Sequence, residues 1–414
     1  MRKPIAISLS PNAQKDDVIL SFKLLFRPIT WFDFSQTEEL ENKFAAMFGR
    51  GYKALAVNSG RSAEYLILRT LGIGGGDEVI LQALTCVAVP NSIRWAGAKP
   101  VYSDIGKDFN LDIKDVSEKL NESTKAIIVQ HSFGIPADVD PLKKISRKSK
   151  KKIYLIEDCA LSLGAFYKRK SVGTLGDVAF FSFGRDKVIS SVFGGMILCK
   201  EGKLYESLKR ERDKLNYPSP VWLLQQLFHP LIFALALPVY NFGVGKFGLG
   251  KAIIFICQKL GIITKAVYWE EKLGKRPIYF PLKMPGALAI LALNQLNKLE
   301  NFNIHRRIIA ELYFKKLAKL KLILPPKKKG AIWIRYPVMT DKMSEIINKC
   351  KARGILLGDW YKECVVPVKS QDLVGYSKGS CPKAESMAGK ILNLPTYPNM
   401  GLKDAERVVS LMKS

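Results

Sequence analysis

Three short segments of the sequence carry side chains that could do chemistry, and each follows an apolar run. The segments are residues 58–63 (NSGRSA) after ALAV, Glu157 and Asp158 after IYLI, and Ser182 and Lys187 after VAFF. Small residues that lead into a helix leave backbone N–H groups free to bind phosphate. An acid at the end of a buried strand needs a partner or a site. A buried lysine can act as a nucleophile because burial lowers its pKa.

Each segment alone also has an ordinary structural interpretation. A glycine-containing turn before a helix is common, a strand-end acid often caps a helix or forms an ion pair, and most lysines lie on the surface. The order of the segments is more informative. A phosphate-binding turn, then Asp158, then Ser182 and Lys187 about thirty residues later is an arrangement that suits pyridoxal phosphate. In it Asp158 keeps the pyridine nitrogen protonated, Lys187 holds the cofactor and moves a proton, and Ser182 and the turn bind the phosphate.

The elements that position these segments are predicted from alternating strand and helix patterns between residues 52 and 200. Short β-rich runs cover residues 54–60, 77–84, 99–105, 125–132, 152–158 and 177–183. Between them, apolar residues three and four apart predict helices. This alternation predicts a largely parallel sheet covered on both faces. Since ligands of such sheets bind beyond the carboxyl ends of the strands, we expect the three segments to meet there.

The same segments belong to longer motifs at residues 59–80, 96–105, 124–142, 156–195, 287–307 and 381–400. In this order the motifs resemble the DegT/DnrJ/EryC1/StrS family of nucleotide-sugar aminotransferases, and the block 156–195 is the most specific. The resemblance implies a fold-type I α/β enzyme: a large domain whose mostly parallel mixed sheet is covered by helices, and a smaller C-terminal α/β domain. It also implies a homodimer whose sites are completed by the neighbouring subunit.

The resemblance assigns roles to particular residues. It implies Lys187 as the catalytic lysine that attaches the cofactor and Asp158 as the partner of the pyridine nitrogen. The phosphate ligands that it implies are Gly60, Arg61, Ser62 and Ser182. Lys187, where a related dehydratase branch carries His, argues against that branch.

Three positions depart from the family pattern. Leu161 stands where Gln or His often contacts the cofactor ring, and Cys86 stands where an aromatic residue often stacks on it. We expect both to contact the cofactor through apolar or soft atoms, which would alter substrate choice or lower activity. Pro281 and Lys283 replace an Asn-x-Arg segment that usually reaches across the dimer.

The chain is expected to comprise five parts: an N-terminal segment 1–50, a large cofactor-binding domain 51–215, an apolar helical insertion 216–276, a connecting helix 277–310 and a small C-terminal domain 311–414. The insertion begins with a stretch, residues 215–245, that contains no Lys, Arg, Asp or Glu. Pro230 and Pro238 interrupt it, so a simple membrane span is not expected.

Three interpretations of the insertion remain open. It could form a helical pair buried at a dimer interface, lie in a membrane interface, or act as a substrate lid. For the membrane, Trp222, Tyr240 and Trp269 suit the headgroup level. The lysines that suit anionic lipid are Lys246, Lys251, Lys259 and Lys265.

The composition narrows the remaining functions. The net charge is +28, but the densest basic runs, 143–152 and 327–329, lack interleaved aromatic residues. We therefore expect a solvated basic face or contact with an anionic membrane surface, and no nucleic acid partner. The seven cysteines are scattered without a C-x-x-C pair and there are three histidines, so neither a metal site nor disulfides are expected. With no apolar signal segment near the start, we expect a cytoplasmic location, peripheral or monotopic at the inner face of the membrane.

Together these features predict a pyridoxal-phosphate aminotransferase that moves an amino group from glutamate to a keto sugar. The sugar is expected to be nucleotide-linked, and the product to serve surface glycoconjugate synthesis. One alternative is a protein of this fold without transamination activity that acts as a regulator or membrane scaffold, as Leu161, Cys86 and the insertion suggest. The others are a pyridoxal-phosphate sugar dehydratase and a basic nucleic-acid binder.

Overall fold

The computed structural model describes residues 3–243 and 248–413. The strands are β1 Ile5–Ala6, β2 Tyr52–Val57, β3 Glu78–Gln82, β4 Thr85–Cys86, β5 Lys99–Ser103, β6 Thr124–Gln130, β7 Tyr154–Asp158, β8 Phe166–Tyr167, β9 Lys170–Ser171, β10 Val178–Ser182, β11 Gly195–Lys200, β12 Arg335–Met339, β13 Ile355–Leu356, β14 Val365–Val366 and β15 Ile391–Pro395. The helices are α1 Lys15–Leu25, α2 Phe34–Ala46, α3 Gly60–Thr70, α4 Ala88–Trp95, α5 Ile113–Lys119, α6 Val139–Lys148, α7 Lys203–Asp213, α8 Pro220–Ala236, α9 Leu249–Lys259, α10 Trp269–Lys272, α11 Gly286–Leu296, α12 Leu299–Leu317, α13 Met343–Ala352, α14 Pro382–Met387 and α15 Leu402–Met412.

The main sheet, within the described residues, has seven strands in the order β2–β11–β10–β7–β6–β3–β5. β11 is antiparallel to both of its neighbours, and the other pairs are parallel. This confirms the predicted α/β fold with a mostly parallel mixed sheet. The six β-rich runs each contain or overlap one strand of this sheet, whereas β11 was not among the predicted strands.

The sheet is buried on both faces because helices pack on both. Neighbouring residues of β10 show this: Phe180 belongs to the apolar core that contains Leu66 of α3, and Phe181 to the opposite core. There the ring of Phe181 lies 5.0 Å from that of Phe44 in α2. A strand covered in this way must be apolar at consecutive positions, which explains the continuous apolar runs of the sequence.

The strand register brings the three chemical segments to one edge of the sheet. At the end of β2, Val57 lies opposite Gly195 of β11, and Gly195 lies opposite Ser182 of β10. Asp158, at the end of β7, lies opposite Gln130 of β6. The carboxyl ends of β2, β7 and β10 therefore form a common edge, as parallel strands require.

The C-terminal residues form a smaller α/β unit around the antiparallel pair β12–β15, with α12, α13 and α15 packed together. Two short parallel pairs join this unit to the rest of the chain. β1 pairs with β13, and β4 pairs with β14. The N-terminal segment and the segment that follows β3 thus both contact the smaller unit.

The 216–276 insertion is helical and packs against the protein. α8 contacts α1 and α9, and its buried face includes Trp222, Leu227 and Phe233. The prediction that Pro230 interrupts the helix is wrong: α8 continues through Pro230 to Ala236, held by this buried face. In the described ranges, no helix combines the length and apolar character needed to cross a bilayer.

The membrane interpretation of the insertion placed Trp222 at the headgroup level, and the structure contradicts that placement. Its side chain is 1% exposed, and its indole N–H donates to the Tyr268 hydroxyl at 2.8 Å. The ring fills the core beneath the insertion. Trp269 is 60% exposed, and Lys246 lies outside the described residues.

Candidate active site

One cavity lies at the carboxyl ends of β2, β7 and β10. Its wall includes all but one of the site residues expected from the sequence: Gly60, Arg61, Cys86, Asp158, Leu161, Ser182 and Lys187. Ser62 lies behind this wall. Its hydroxyl donates to Asn58 Oδ1 at 2.7 Å, and its backbone N–H donates to Ser59 Oγ at 3.1 Å, which caps α3. Ser62 therefore fixes the shape of the turn.

Two glycines allow the turn to approach the strand ends. A Cβ atom on Gly60 would lie 2.8 Å from the Cβ of Ser182, and one on Gly195 would lie 2.3 Å from the carbonyl carbon of Ser59. Neither distance is possible for real side chains, so only glycine permits this packing. The first turn of α3 consequently opens beside Ser182, where its backbone N–H groups and the helix dipole favour an anion.

Arg61 is held at the cavity wall by the insertion. Its guanidinium forms an ion pair with Glu271 of α10, donates to the Ala266 carbonyl at 3.2 Å and lies 4.8 Å from the centre of the Phe280 ring. The Glu271 side chain is fully buried. Burial raises the pKa of Glu271, and the charge of Arg61 opposes that rise. The positive charge of Arg61 is thus already paired inside the chain.

The side chains of Glu157 and Asp158, the two acids at the end of β7, lie in different environments. Asp158 faces the cavity, and its Oδ1 accepts a hydrogen bond from the Ala160 N–H at 2.9 Å. Burial raises the pKa of Asp158, while the Ala160 N–H and the charge of Lys187 lower it in part. Asp158 is therefore a buried acid whose best cationic partner within the cavity is Lys187.

Glu157 instead stabilises the interior. It bonds His131 Nε2 at 3.1 Å and accepts backbone N–H groups at residues 173, 175 and 176. His131, Glu157 and Cys159 are close enough to hold a metal ion. However, His131 Nδ1 already accepts the Ala137 N–H at 3.0 Å, so the ring and the carboxylate are engaged in structural bonds.

The loop that carries Lys187 is anchored on three sides. Asn12 donates from its side chain to the carbonyl oxygens of Lys187 and Val188, at 2.5 and 3.1 Å. The buried Arg185 donates to the carbonyl and hydroxyl oxygens of Thr264 at 2.7 and 2.6 Å, and burial lowers its pKa to about 10. A third anchor is the ion pair between Asp186 and Arg335 of the C-terminal unit. The lysine is therefore positioned by the N-terminal segment, the insertion and the smaller unit together.

The positions that depart from the family pattern occupy different places. Cys86 and Leu161 line the cavity as expected, and burial raises the pKa of the Cys86 thiol. Lys283 forms an isolated antiparallel bridge with Val57, and its N–H donates to the Asn216 carbonyl at 2.9 Å. Lys283 thus extends the hydrogen bonding beyond the end of β2.

Several cavity residues were not predicted from the sequence: Glu64, Gln130, Arg185, Ala266, Val267, Arg335 and Tyr361. Glu64 left a local signal, since it is an acid within the otherwise apolar face of α3. Arg185 lies between Ser182 and Lys187 in the same segment, and Gln130 closes β6. Ala266, Val267, Arg335 and Tyr361 reach the cavity through contacts between distant segments.

The DegT/DnrJ/EryC1/StrS aminotransferase family matches residues 24–216 and 250–413 of this sequence. The chain belongs to this family. GDP-perosamine synthase from Escherichia coli O157:H7 is 26% identical to it over 380 residues, which cover 91% of this chain and 88% of that protein. Among solved structures, S. venezuelae DesV has a TM-score of 0.76 at 24% identity, covering 100% of this chain and 98% of its own. Helicobacter pylori PseC has a TM-score of 0.76 at 20% identity, with 99% and 98% covered.

Family membership confirms two expectations, that the chain is an aminotransferase and that its cofactor is pyridoxal phosphate. The cavity fits this group. The N-terminus of α3 beside Ser182 suits a phosphate, the buried Asp158 suits a protonated ring nitrogen, and Lys187 supplies an amine. All three lie in the wall of the same cavity.

Proposed function

We propose that this enzyme transfers an amino group from glutamate to a nucleotide-linked keto sugar, in the synthesis of amino sugars for surface glycoconjugates. The observation that carries the proposal is the common cavity of Lys187, Asp158 and the N-terminus of α3. The relatives support a sugar as acceptor, because one is a GDP-perosamine synthase and another is described as acting in pseudoaminic acid biosynthesis.

The residues of the cavity have separate roles in this reaction. Pyridoxal phosphate, when bound, supplies an electron sink for the substrate carbon that loses or gains a proton. Asp158 holds the ring nitrogen, and Gly60 and Ser182 hold the phosphate together with the turn. Lys187 attaches the cofactor through its amine, and its Nζ later carries the proton to and from the substrate carbon. The two substrates use the same cavity in turn, so ping-pong kinetics are expected.

Visible absorption spectroscopy tests the first half of this reaction. We expect purified protein with pyridoxal phosphate to show a cofactor band that excess glutamate bleaches. Lys187→Ala should not form that band in the same way, whereas Lys170→Ala, which removes an exposed lysine, should behave like the wild type. A band that glutamate leaves unchanged would contradict glutamate as the donor. Absence of any band would contradict the cofactor-binding role of the cavity.

Product analysis tests the second half. Protein preloaded with amino groups is mixed with nucleotide-linked keto sugars, and the product mass is measured. Gain of nitrogen supports transamination, whereas loss of water without nitrogen supports the dehydratase alternative. Cofactor binding without either product would favour the regulator or scaffold alternative.

We also propose that the enzyme is a homodimer and that it works at the inner face of a membrane. The exposed apolar side chains of three adjacent helical segments support the membrane proposal, and we call them the apolar helix face: Phe22, Phe26, Ile29, Leu235, Phe255, Ile256 and Leu260. α1 packs on α8 and α8 on α9, and these helices carry Phe22, Leu235, Phe255 and Ile256. Phe26 and Ile29 follow the end of α1, and Leu260 follows the end of α9. Residues 214–269 contain no Asp or Glu, and Lys251, Lys259 and Lys265 lie among them, which favours anionic lipid.

Vesicle flotation tests this surface. We expect the protein to float with vesicles that contain phosphatidylglycerol and to bind neutral phosphatidylcholine vesicles less. Phe255→Ser with Leu260→Ser should weaken flotation, whereas Ile323→Ser, an exposed apolar residue of the C-terminal unit, should not. Light scattering of the same variants separates the alternative. A change from dimer to monomer with unchanged flotation would assign the apolar helix face to the dimer interface.

A further inference from the structure

Glu64 is a buried acid of the cavity that the roles proposed above do not use. It lies on α3, one turn after Gly60, and it is 1% exposed. Its Oε1 atom is buried and has no hydrogen-bond partner in the part of the chain that the structure describes. The residue lines the same cavity as Asp158, Cys86 and Lys187.

The surroundings favour the neutral form of the Glu64 carboxyl group. Burial raises its pKa well above the usual value, and the negative charge of Asp158 raises it further. The nearby Ser92 hydroxyl and the charge of Arg61 oppose this rise only in part. A neutral carboxylic acid retains one O–H donor in addition to its acceptor oxygen. Glu64 therefore brings a donor into a cavity in which Asp158 acts as an acceptor.

Packing does not explain an acid at this position. The neighbouring Ala63, Leu66 and Ile67 are buried in the apolar core, and a leucine at residue 64 would continue that pattern. A buried polar group without a partner costs free energy of folding. The cavity that Glu64 lines also has polar residues in its wall, but none of them bonds Oε1 within the described residues. Because Glu64 lines the cavity, a molecule bound there can supply the missing partner.

We propose that Glu64 is a further cofactor-binding residue, which donates a hydrogen bond to a polar atom of the bound pyridoxal phosphate. This inference rests on the proposed roles of Asp158 and Lys187, which place the cofactor in the cavity that Glu64 lines. On this proposal, Glu64 lowers the stability of the cofactor-free protein but strengthens the binding of pyridoxal phosphate. Local rules of packing are broken most often at such functional positions.

Two measurements on the same variants test this role: the dissociation constant of pyridoxal phosphate from spectral titration, and the thermal midpoint of the cofactor-free protein. Glu64→Leu should bind the cofactor about tenfold more weakly, because a ligand atom loses its partner. Its cofactor-free midpoint should rise, because the unpaired carboxyl is gone. Glu64→Gln, whose amide still donates, should bind within about threefold of the wild type.

Thr70→Val is the matched control. Among the described residues, Thr70 Oγ1 is another buried oxygen of α3 without a partner, and the residue does not line the cavity. Its removal should leave the dissociation constant unchanged. If Glu64→Leu does not fold, Glu64→Ala provides the same comparison of binding.

The outcomes separate this inference from the proposed function. A dissociation constant for Glu64→Leu equal to that of the wild type would overturn the role of Glu64 while the cofactor site stood. A loss in Glu64→Gln as large as that in Glu64→Leu would overturn the donor role. Wild-type protein that binds no cofactor would instead refute the roles of Asp158 and Lys187.

Discussion

The ion pair between Arg61 and Glu271 joins the insertion to the phosphate end of the cavity, and Glu271→Gln isolates its charge. In the structure, the Tyr268 backbone N–H donates to the Glu271 carboxylate at 2.7 Å. The side-chain oxygen of glutamine can still accept this hydrogen bond. The variant therefore removes one negative charge and leaves the shape of the residue nearly unchanged. Arg61 would remain in the cavity wall without its acid.

The expected cost follows from burial. The Glu271 side chain is fully buried and that of Arg61 is 12% exposed, so solvent screens the pair little. Removal of one partner from a buried pair typically destabilises a protein by about 3–5 kcal/mol. Arg61 keeps its bond to the Ala266 carbonyl and its contact with Phe280, so we expect the lower end, about 3 kcal/mol.

Urea unfolding of the cofactor-free protein measures this loss, with Arg61→Met, Glu271→Gln as the double variant. The double variant leaves no unpaired charge and should recover to within about 1 kcal/mol of the wild type. The reasoning fails if Glu271→Gln loses less than about 0.5 kcal/mol, or if the double variant is as unstable as the single one. Pyridoxal phosphate should stabilise Glu271→Gln more than the wild type, because the freed guanidinium can pair with phosphate.

Three further predictions address the packing, the charge and the anchoring of the site. Gly195→Ala should lose at least about 3 kcal/mol of unfolding free energy in urea, because its Cβ atom would lie 2.3 Å from the backbone of Ser59. Gly184→Ala is the control: its Cβ atom would have no neighbour closer than 3.5 Å, so this variant should fold normally. Below the unfolded pKa of about 4.5, Glu64 is protonated in both the folded and the unfolded protein, so its burial costs the least stability there. As the pH rises toward the higher folded pKa, the unfolded protein releases this proton more readily, and the folded protein loses stability. Calorimetry should therefore find that the gain in midpoint of Glu64→Leu is larger at pH 8 than at pH 5. Thr264→Val leaves an N–H of the buried Arg185 unpaired and should cost about 2 kcal/mol in the same urea assay, and an unchanged midpoint would contradict that anchor.

The sequence was sufficient to predict the strands whose burial shows as a continuous local run of apolar residues. Continuous apolar runs predicted β7 and β10, and the residues that close them, Asp158 and Ser182, line the cavity. β11 was missed because its sequence, GMILCK, begins at the second glycine of the Gly194–Gly195 pair, and glycines are uncommon inside strands. Its antiparallel place between β2 and β10 is a property of topology, which no local pattern encodes.

The contacts that hold the side chains of the site in place were harder to predict from the sequence. Glu271 is 210 residues from Arg61, and Thr264 is 79 residues from Arg185. Neither has a distinctive neighbourhood, because an acid before a lysine and a threonine before a lysine are common surface patterns. The error at Pro230 has a different physical cause: packing of the buried face of α8 outweighs the one hydrogen bond that a proline removes.

The insertion connects the cavity with the apolar helix face, and this affects how variants of that face are interpreted. Thr264 bonds Arg185 on one side and donates from its hydroxyl to Gln226 of α8 at 2.9 Å on the other. α8 in turn packs on α1 and α9, which carry Phe22, Phe255 and Ile256 of that face. A substitution on the exposed side of α9 should leave these bonds intact, so it should weaken vesicle binding without changing the affinity for pyridoxal phosphate. Thr264→Val should do the reverse. If each substitution changes both properties, the helices of the insertion transmit their packing to the cofactor cavity.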